Sequence, residues 1–160
     1  MYVDFESLAD SSSIWIYQSN RELSKQEVDE IKSKIEGFIG NWQRHGDDLR
    51  ASYQIKYNQF IVIAVDEQYN GISGCSIDAS TNLIKQFEDQ YKIDLFNKMN
   101  TAFKSGEHIN VVSLADFQKY ISEQKIDSET VVFNNMIRTK KEFGDSWEVP
   151  AAQSWHSRYF

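Results

Sequence analysis

A single cysteine, a single proline and only seven glycines leave this 160-residue chain to be shaped by side-chain packing rather than by covalent or backbone constraints. One thiol cannot close an internal disulfide, so no covalent staple holds the fold, and a reducing compartment suits it. Nothing approaches the roughly 20 apolar residues that a membrane-spanning helix needs. The longest apolar run, Phe60-Ile61-Val62-Ile63-Ala64-Val65, has the length of a strand. Met1 to Ser13 is acidic and polar, without the positive start and apolar stretch of a secretory signal, so a cytoplasmic protein without membrane insertion is expected. Basic residues are also scarce: 17 Lys and Arg against 24 Asp and Glu give a formal charge of -7. That field repels phosphate backbones unless cations are concentrated. The one adjacent basic pair, Lys140-Lys141, is followed at once by Glu142, so no nucleic-acid partner is expected.

Aromatic side chains, in contrast, are plentiful, and Trp15, Trp42, Trp147 and Trp155 are spread from end to end. The chain length suits one domain with a sizeable core. Ser24-Lys25-Gln26-Glu27 has the form of a capping box, flanked by Leu23 and Val28 as a hydrophobic staple. Val28, Ile31, Ile35, Phe38, Ile39 and Trp42 then recur at helical spacing, predicting a first helix that runs to about Arg44 and stops at Gly46. Gly37 and Gly40 inside it are expected to mark the close approach of another element.

Ser13 to Gln18 reads as a strand, as does the stretch around Tyr53, Ile55 and Tyr57, where apolar and polar residues alternate. Asn58-Gln59 forms a turn, and Phe60 to Val65, apolar on both faces, forms a central strand. After a polar loop from Asp66 to Gly74, a second helix is predicted near Asp78 with Leu83, Ile84, Phe87 and Tyr91 on one face; Leu95, Phe96 and Met99 extend that stripe after a break. A hairpin follows around Lys104-Ser105-Gly106-Glu107. A third helix is capped by Ser113 and buries Leu114, Phe117 and Ile121, and Thr130 to Asn134 is the last strand. Thr139 to Glu142 can cap a further short helix.

This order gives an α+β fold with a largely antiparallel sheet and three main helices, whose first part is like a split βαβ sandwich. The reading is of one domain over residues 1–160, in which 139–160 is an aromatic C-terminal segment packed on the body.

Several motifs together are similar to one family. They are Trp15-Ile16-Tyr17-Gln18, His45-Gly46, Tyr57-Asn58-Gln59-Phe60, Ser73-Gly74-Cys75-Ser76-Ile77-Asp78, Val132-Phe133-Asn134-Asn135, Trp147-Glu148-Val149-Pro150 and Ser154-Trp155-His156-Ser157-Arg158. In this combination the chain resembles a family of small Bacteroidota proteins often labelled "ABC transporter ATPase". The resemblance implies no activity or catalytic residue, and the residues do not support the label. A phosphate-cradling loop needs Gly followed by Lys and Ser or Thr. Here the glycines precede Phe38, Asn41, Asp47, Ile72, Cys75, Glu107 and Asp145.

The candidate chemistry is sparse. Cys75 is placed at a strand-to-helix corner, where helix amides favour a thiolate, and catalysis would require His156 or His45 as base; Asp78 nearby opposes the thiolate. The competing reading is a buried, inert cysteine. His45, Asp47 and Asp48, joined in space by Asp66 or Asp78, have donors that suit a hard cation, but the same residues read as a helix stop and polar turn, so no metal site and no cofactor are expected. His108 reads as a surface residue of the hairpin. Trp155 and Arg158 have the character of interface anchors, able to bind a protein or small ligand, complete a homodimer or line a pocket. The leading expectation is a non-catalytic binding or interaction module that uses the aromatic C-terminal segment and the Asp66 to Asp78 loop; the alternative is a thiol-dependent enzyme or redox-sensitive protein built on Cys75.

Overall fold

Helix α1 occupies Lys25–Gly40 in the computed structural model, which describes every residue from Met1 to Phe160. Its start is the expected capping box: the Glu27 amide donates to Ser24 Oγ at 3.1 Å, and the Ser24 amide donates to Glu27 Oε1 at 2.8 Å. Its end comes earlier than expected. Asn41 caps it, with Asn41 Nδ2 donating to Gly37 O at 3.1 Å. Gly37 and Gly40 have open space where a Cβ would stand, so neither marks a close approach, which corrects that expectation.

Gly46 instead serves a turn. His45 and Gly46 both have positive φ, 51° and 86°, and join a two-residue strand β2 (Gln43–Arg44) to β3 (Asp47–Asp48) as a small antiparallel ribbon. Paired positive φ values at the centre of a two-residue loop match the twist of the strands it connects.

Strands β1 (Ser13–Gln18), β4 (Ala51–Lys56) and β5 (Phe60–Val65) form a sheet in the order β1-β5-β4. Both outer strands run antiparallel to β5 and therefore parallel to each other, with α1 on the connection between them. This is the split βαβ arrangement, and it explains why all six residues of β5 are buried. Helix α2 (Gly74–Tyr91) follows and ends at Lys92 in the left-handed region, φ 53°. The apolar stripe does not continue past it: Leu95 is buried, but Phe96 and Met99 are exposed.

Two further strands, β6 (Asn100–Ser105) and β7 (His108–Ser113), make the expected hairpin, and α3 (Leu114–Ser122) begins directly after it with Ser113 as its cap. Strand β8 (Val131–Phe133) pairs with β6, and α4 (Lys140–Ser146) precedes β9 (Glu148–Pro150), a strand the sequence reading had not anticipated. The second sheet has the order β7-β6-β8-β9 and is antiparallel throughout. The α+β class with antiparallel sheets is thus observed.

Contacts divide the chain into two compact units. Unit 1 is Met1–Phe96 with Arg138–Lys141, and unit 2 is Asn97–Ile137 with Glu142–Phe160. No linker-like composition marks any of the three junctions, which is why the sequence reads as one domain. The core of unit 1 is formed by Ile31, Ile35 and Ile39 from α1, Ile61, Ile63 and Val65 from β5, and Ile84 and Phe87 from α2. That of unit 2 gathers Phe103, Phe117, Ile126, Val132 and Ala151.

Candidate functional site

The start of α2 is set by Ser73, whose Oγ accepts the Ser76 amide at 3.2 Å. An N-cap at this position pulls the helix one turn ahead of the expected start near Asp78 and places Cys75 inside the first turn. There the cysteine is exposed, which corrects the reading of a buried thiol. Ser76 is buried in its place. Its Oγ donates to Gln43 O at 2.8 Å and its carbonyl accepts Trp42 Nε1 at 3.0 Å, so the β2–β3 ribbon and the residue before it are fastened to the helix start by side-chain donors on backbone carbonyls. Arg44 Nη1 adds a bond to Gly71 O at 3.3 Å.

His45 stands exposed at the ribbon tip, and no hydrogen bond joins it to Cys75. Asp78 lies one helical turn beyond Cys75 and is also exposed. Two of the acidic residues with donors suited to a cation are engaged locally. The Asp66 carboxylate accepts the Gln68 amide at 3.1 Å, and Asp48 Oδ1 accepts from Gln43 Nε2 at 3.0 Å. No group of three or more His, Cys, Asp and Glu side chains is arranged to hold a metal ion.

The remaining candidates lie in unit 2, where Ala151–Gln153 and Trp155–Tyr159 are short 3-10 turns. The Ala151 and Ala152 amides donate to Thr130 O and Ser128 O, both at 2.9 Å, which anchors the segment to the loop before β8. His156 is 1% exposed and meets Phe117 edge-on, with ring centroids 5.5 Å apart. Burial, with Arg158 adding to it, pushes its imidazole down to about 4, so the ring is neutral at neutral pH.

Trp155 stacks on that imidazole at 3.8 Å and 23°, Tyr159 meets its edge at 6.2 Å, and the Arg158 guanidinium lies 5.8 Å from its centroid. Arg158 Nε also donates to Trp155 O at 3.2 Å, which holds the cation against its own turn. Trp155 and Tyr159 are half-buried, whereas Arg158 and Phe160 are exposed. A cation beside a partly open indole has the composition common at binding interfaces.

One pair with the spacing of a nucleophile and base escaped the sequence reading. Ser154 Oγ lies 2.7 Å from His156 Nδ1. Both residues are buried, and an imidazole held near 4 is a weak base at neutral pH, so the pair serves as a satisfied polar contact inside an apolar region. The expected partners Cys75 and His156 belong to different units.

Unit 1 also contains two phenol–carboxylate pairs that no local motif announces. Tyr53 Oη donates to Glu36 Oε1 at 2.7 Å, and Tyr91 Oη donates to Glu30 Oε2 at 2.8 Å, joining α1 to β4 and to α2. Burial and the adjacent carboxylate raise both phenols, Tyr91 to about 12. Their only sequence signal is the placement of Glu30 and Glu36 on the polar flank of α1. Comparison with protein-family models, with curated proteins and with solved structures gives no match.

Proposed function

We propose that this chain is a non-catalytic binding module of the cytoplasm whose working surface is the C-terminal cluster of Trp155, Arg158 and Tyr159. The observation that carries the reading is the half-open indole of Trp155, seated on the buried His156 and flanked by an exposed guanidinium. Aromatic and arginine side chains held in place before binding lose little conformational freedom when a partner arrives, and residues of this kind dominate interface energetics. The Asp66 to Asp78 segment contributes less to this reading than the sequence implied, because Asp66 and Asn70 spend their polar atoms on the loop and the adjoining ribbon.

A photo-cross-linking amino acid substituted for Tyr159 tests the proposal. In an extract of the host it is expected to yield a discrete adduct that Trp155→Ala removes. The absence of any adduct, or the same adduct pattern from a cross-linker at Tyr57, overturns it.

A second reading keeps a thiol function, on the strength of Cys75's exposure in the first turn of an 18-residue helix. It predicts fast alkylation of the folded protein by iodoacetamide below neutral pH. Alkylation at the pace of an ordinary free thiol, growing only as the solution turns alkaline, removes it.

A further inference from the structure

Three of the four edges of the two larger sheets are blunted. At β4, Tyr2 forms a parallel bridge with Ala51, Val3 N–H donates to Ala51 O at 3.0 Å, and the strand ends on Lys56. At β1, Ser13 bridges Thr139, the Ile14 amide donates to Arg138 O at 2.9 Å, and just past the strand the Asn20 amide donates to Asp94 O at 3.3 Å. The third edge, β9, is three residues long and contains Glu148 and Pro150. These are the usual means by which proteins keep open strands from pairing with other chains.

Strand β7 has none of them. His108-Ile109-Asn110-Val111-Val112-Ser113 contains no Lys, Arg, Asp, Glu or Pro, its register with β6 is unbroken, and no strand or bridge lies beyond it. We propose that β7 is a self-association edge, on which a second copy of this chain adds its own β7 antiparallel and so joins two four-stranded sheets.

The register specifies how. Ser105 and His108 close a two-residue hairpin whose first loop residue, Gly106, has φ 63°. A closing pair of this kind exchanges its backbone bonds, so Asn110 and Val112 also turn theirs toward β6, while Ile109 and Val111 turn theirs to the open side. An antiparallel neighbour centred on Asn110 matches that pattern with itself. Ile109 exchanges both backbone bonds with Val111 of the partner subunit, and Val111 does the same with Ile109 of the partner subunit. Asn110 faces Asn110 of the partner subunit as the non-hydrogen-bonded pair, where side chains come closest. The neutrality of the strand argues for a second copy as the occupant: each chain carries -7 overall, yet no like charges meet along this edge. Screening of the wider repulsion strengthens the dimer as salt is raised.

Sedimentation equilibrium of the full chain, up to millimolar concentration, is expected to show a monomer–dimer equilibrium. Val111→Pro deletes a donor that faces outward, sparing the bonds to β6, and is expected to leave the circular dichroism spectrum unchanged while abolishing the dimer. Asn110→Lys and Asn110→Asp each place like charges at the axis and are expected to weaken association at least about tenfold alone and restore it when mixed. A wild-type chain that stays monomeric over the whole range overturns the proposal, as does a dimer that survives both charged variants unmixed. Should the proline variant fail to fold, the charge pair alone decides.

Discussion

Unit 1 and unit 2 bury their side chains by different means. In unit 1, isoleucines recurring along α1 and β5 meet Ile84 and Phe87 of α2, so most core positions belong to a regular element with its own period, and Leu23, Trp42, Leu49, Ile93 and Leu95 are added from the connections. In unit 2, α3 contributes Phe117 and the strands Phe103 and Val132, but Ile126, Ala151 and His156 come from turns and 3-10 segments, and Phe133 and Phe143 each lie 4.9 Å from the Trp147 ring. A core built from periodic elements shares its burial among many similar side chains. One built from rings concentrates it in a few, each touching several segments.

The largest effect expected from this contrast is at Phe117. The ring is fully buried and meets Phe103, His156 and Phe160. Phe117→Ala is expected to cost about 4 kcal/mol, against about 3 kcal/mol for Ile35→Ala in unit 1. Denaturant titration followed by hydrogen exchange checks this: amides of α3 and β6 should lose protection in the first variant. Equal losses in the two variants would remove the distinction drawn between the cores.

The second effect is specific to unit 2 and depends on pH. Burial lowers the His156 imidazole in the folded protein to about 4, whereas in the unfolded chain it titrates near 6.5. Between those values the unfolded chain binds the extra proton, so stability is complete above about pH 6.5 and falls as pH drops toward 4. The groups packed on the ring do not rescue it. Arg158 repels the proton, and the preceding turn, Ala151 to Gln153, carries no titratable side chain. The loss is expected to be roughly 2 to 3 kcal/mol. Thermal melts of the wild type and His156→Phe across this range check it, since the variant should show a flatter profile through the same window.

A smaller effect tests the local signals of unit 1. Ser24→Ala removes the cap that satisfies the Glu27 amide and is expected to cost about 1 kcal/mol. Glu27 is held down to about 2, first by Arg21 and then by the Ser24 amide, so its contribution is present above the ordinary carboxylate range and fades as pH falls toward 2. Melting of the variant at neutral pH and in acid separates the two terms, because the Arg21 pair at 2.8 Å survives the substitution.

Whether a feature is encoded locally, more than which unit it belongs to, sets how much could be read in advance. The capping box, the staple, the β5 run and the hairpin turn are encoded within a few neighbouring residues, and they appear where the sequence placed them. The β2–β3 ribbon was missed because Trp42 continues the helical spacing of α1 while its indole is drawn instead to Ser76 O, 34 residues away. Strand β9 was missed because three residues that include a proline carry no period, and it pairs only with β8. At the candidate site, the types of Trp155 and Arg158 were legible, but the burial of His156 was not. It follows from Phe117, far off in the sequence.

Cys75 gives the smallest expected effect and the sharpest check on the helix start. If Ser73 caps α2 and Ser76 faces inward, Cys75 has only solvent to lose, and Cys75→Ser should change stability by less than about 0.5 kcal/mol. Ser76→Ala should then be the costly neighbour, because it strips the bond to Gln43 O from a buried position. Denaturation midpoints for the two variants decide between the alternatives. Were the order reversed, with the cysteine substitution costing more than the serine one, α2 would have to begin later, and the thiol would return to the buried corner that its sequence first suggested.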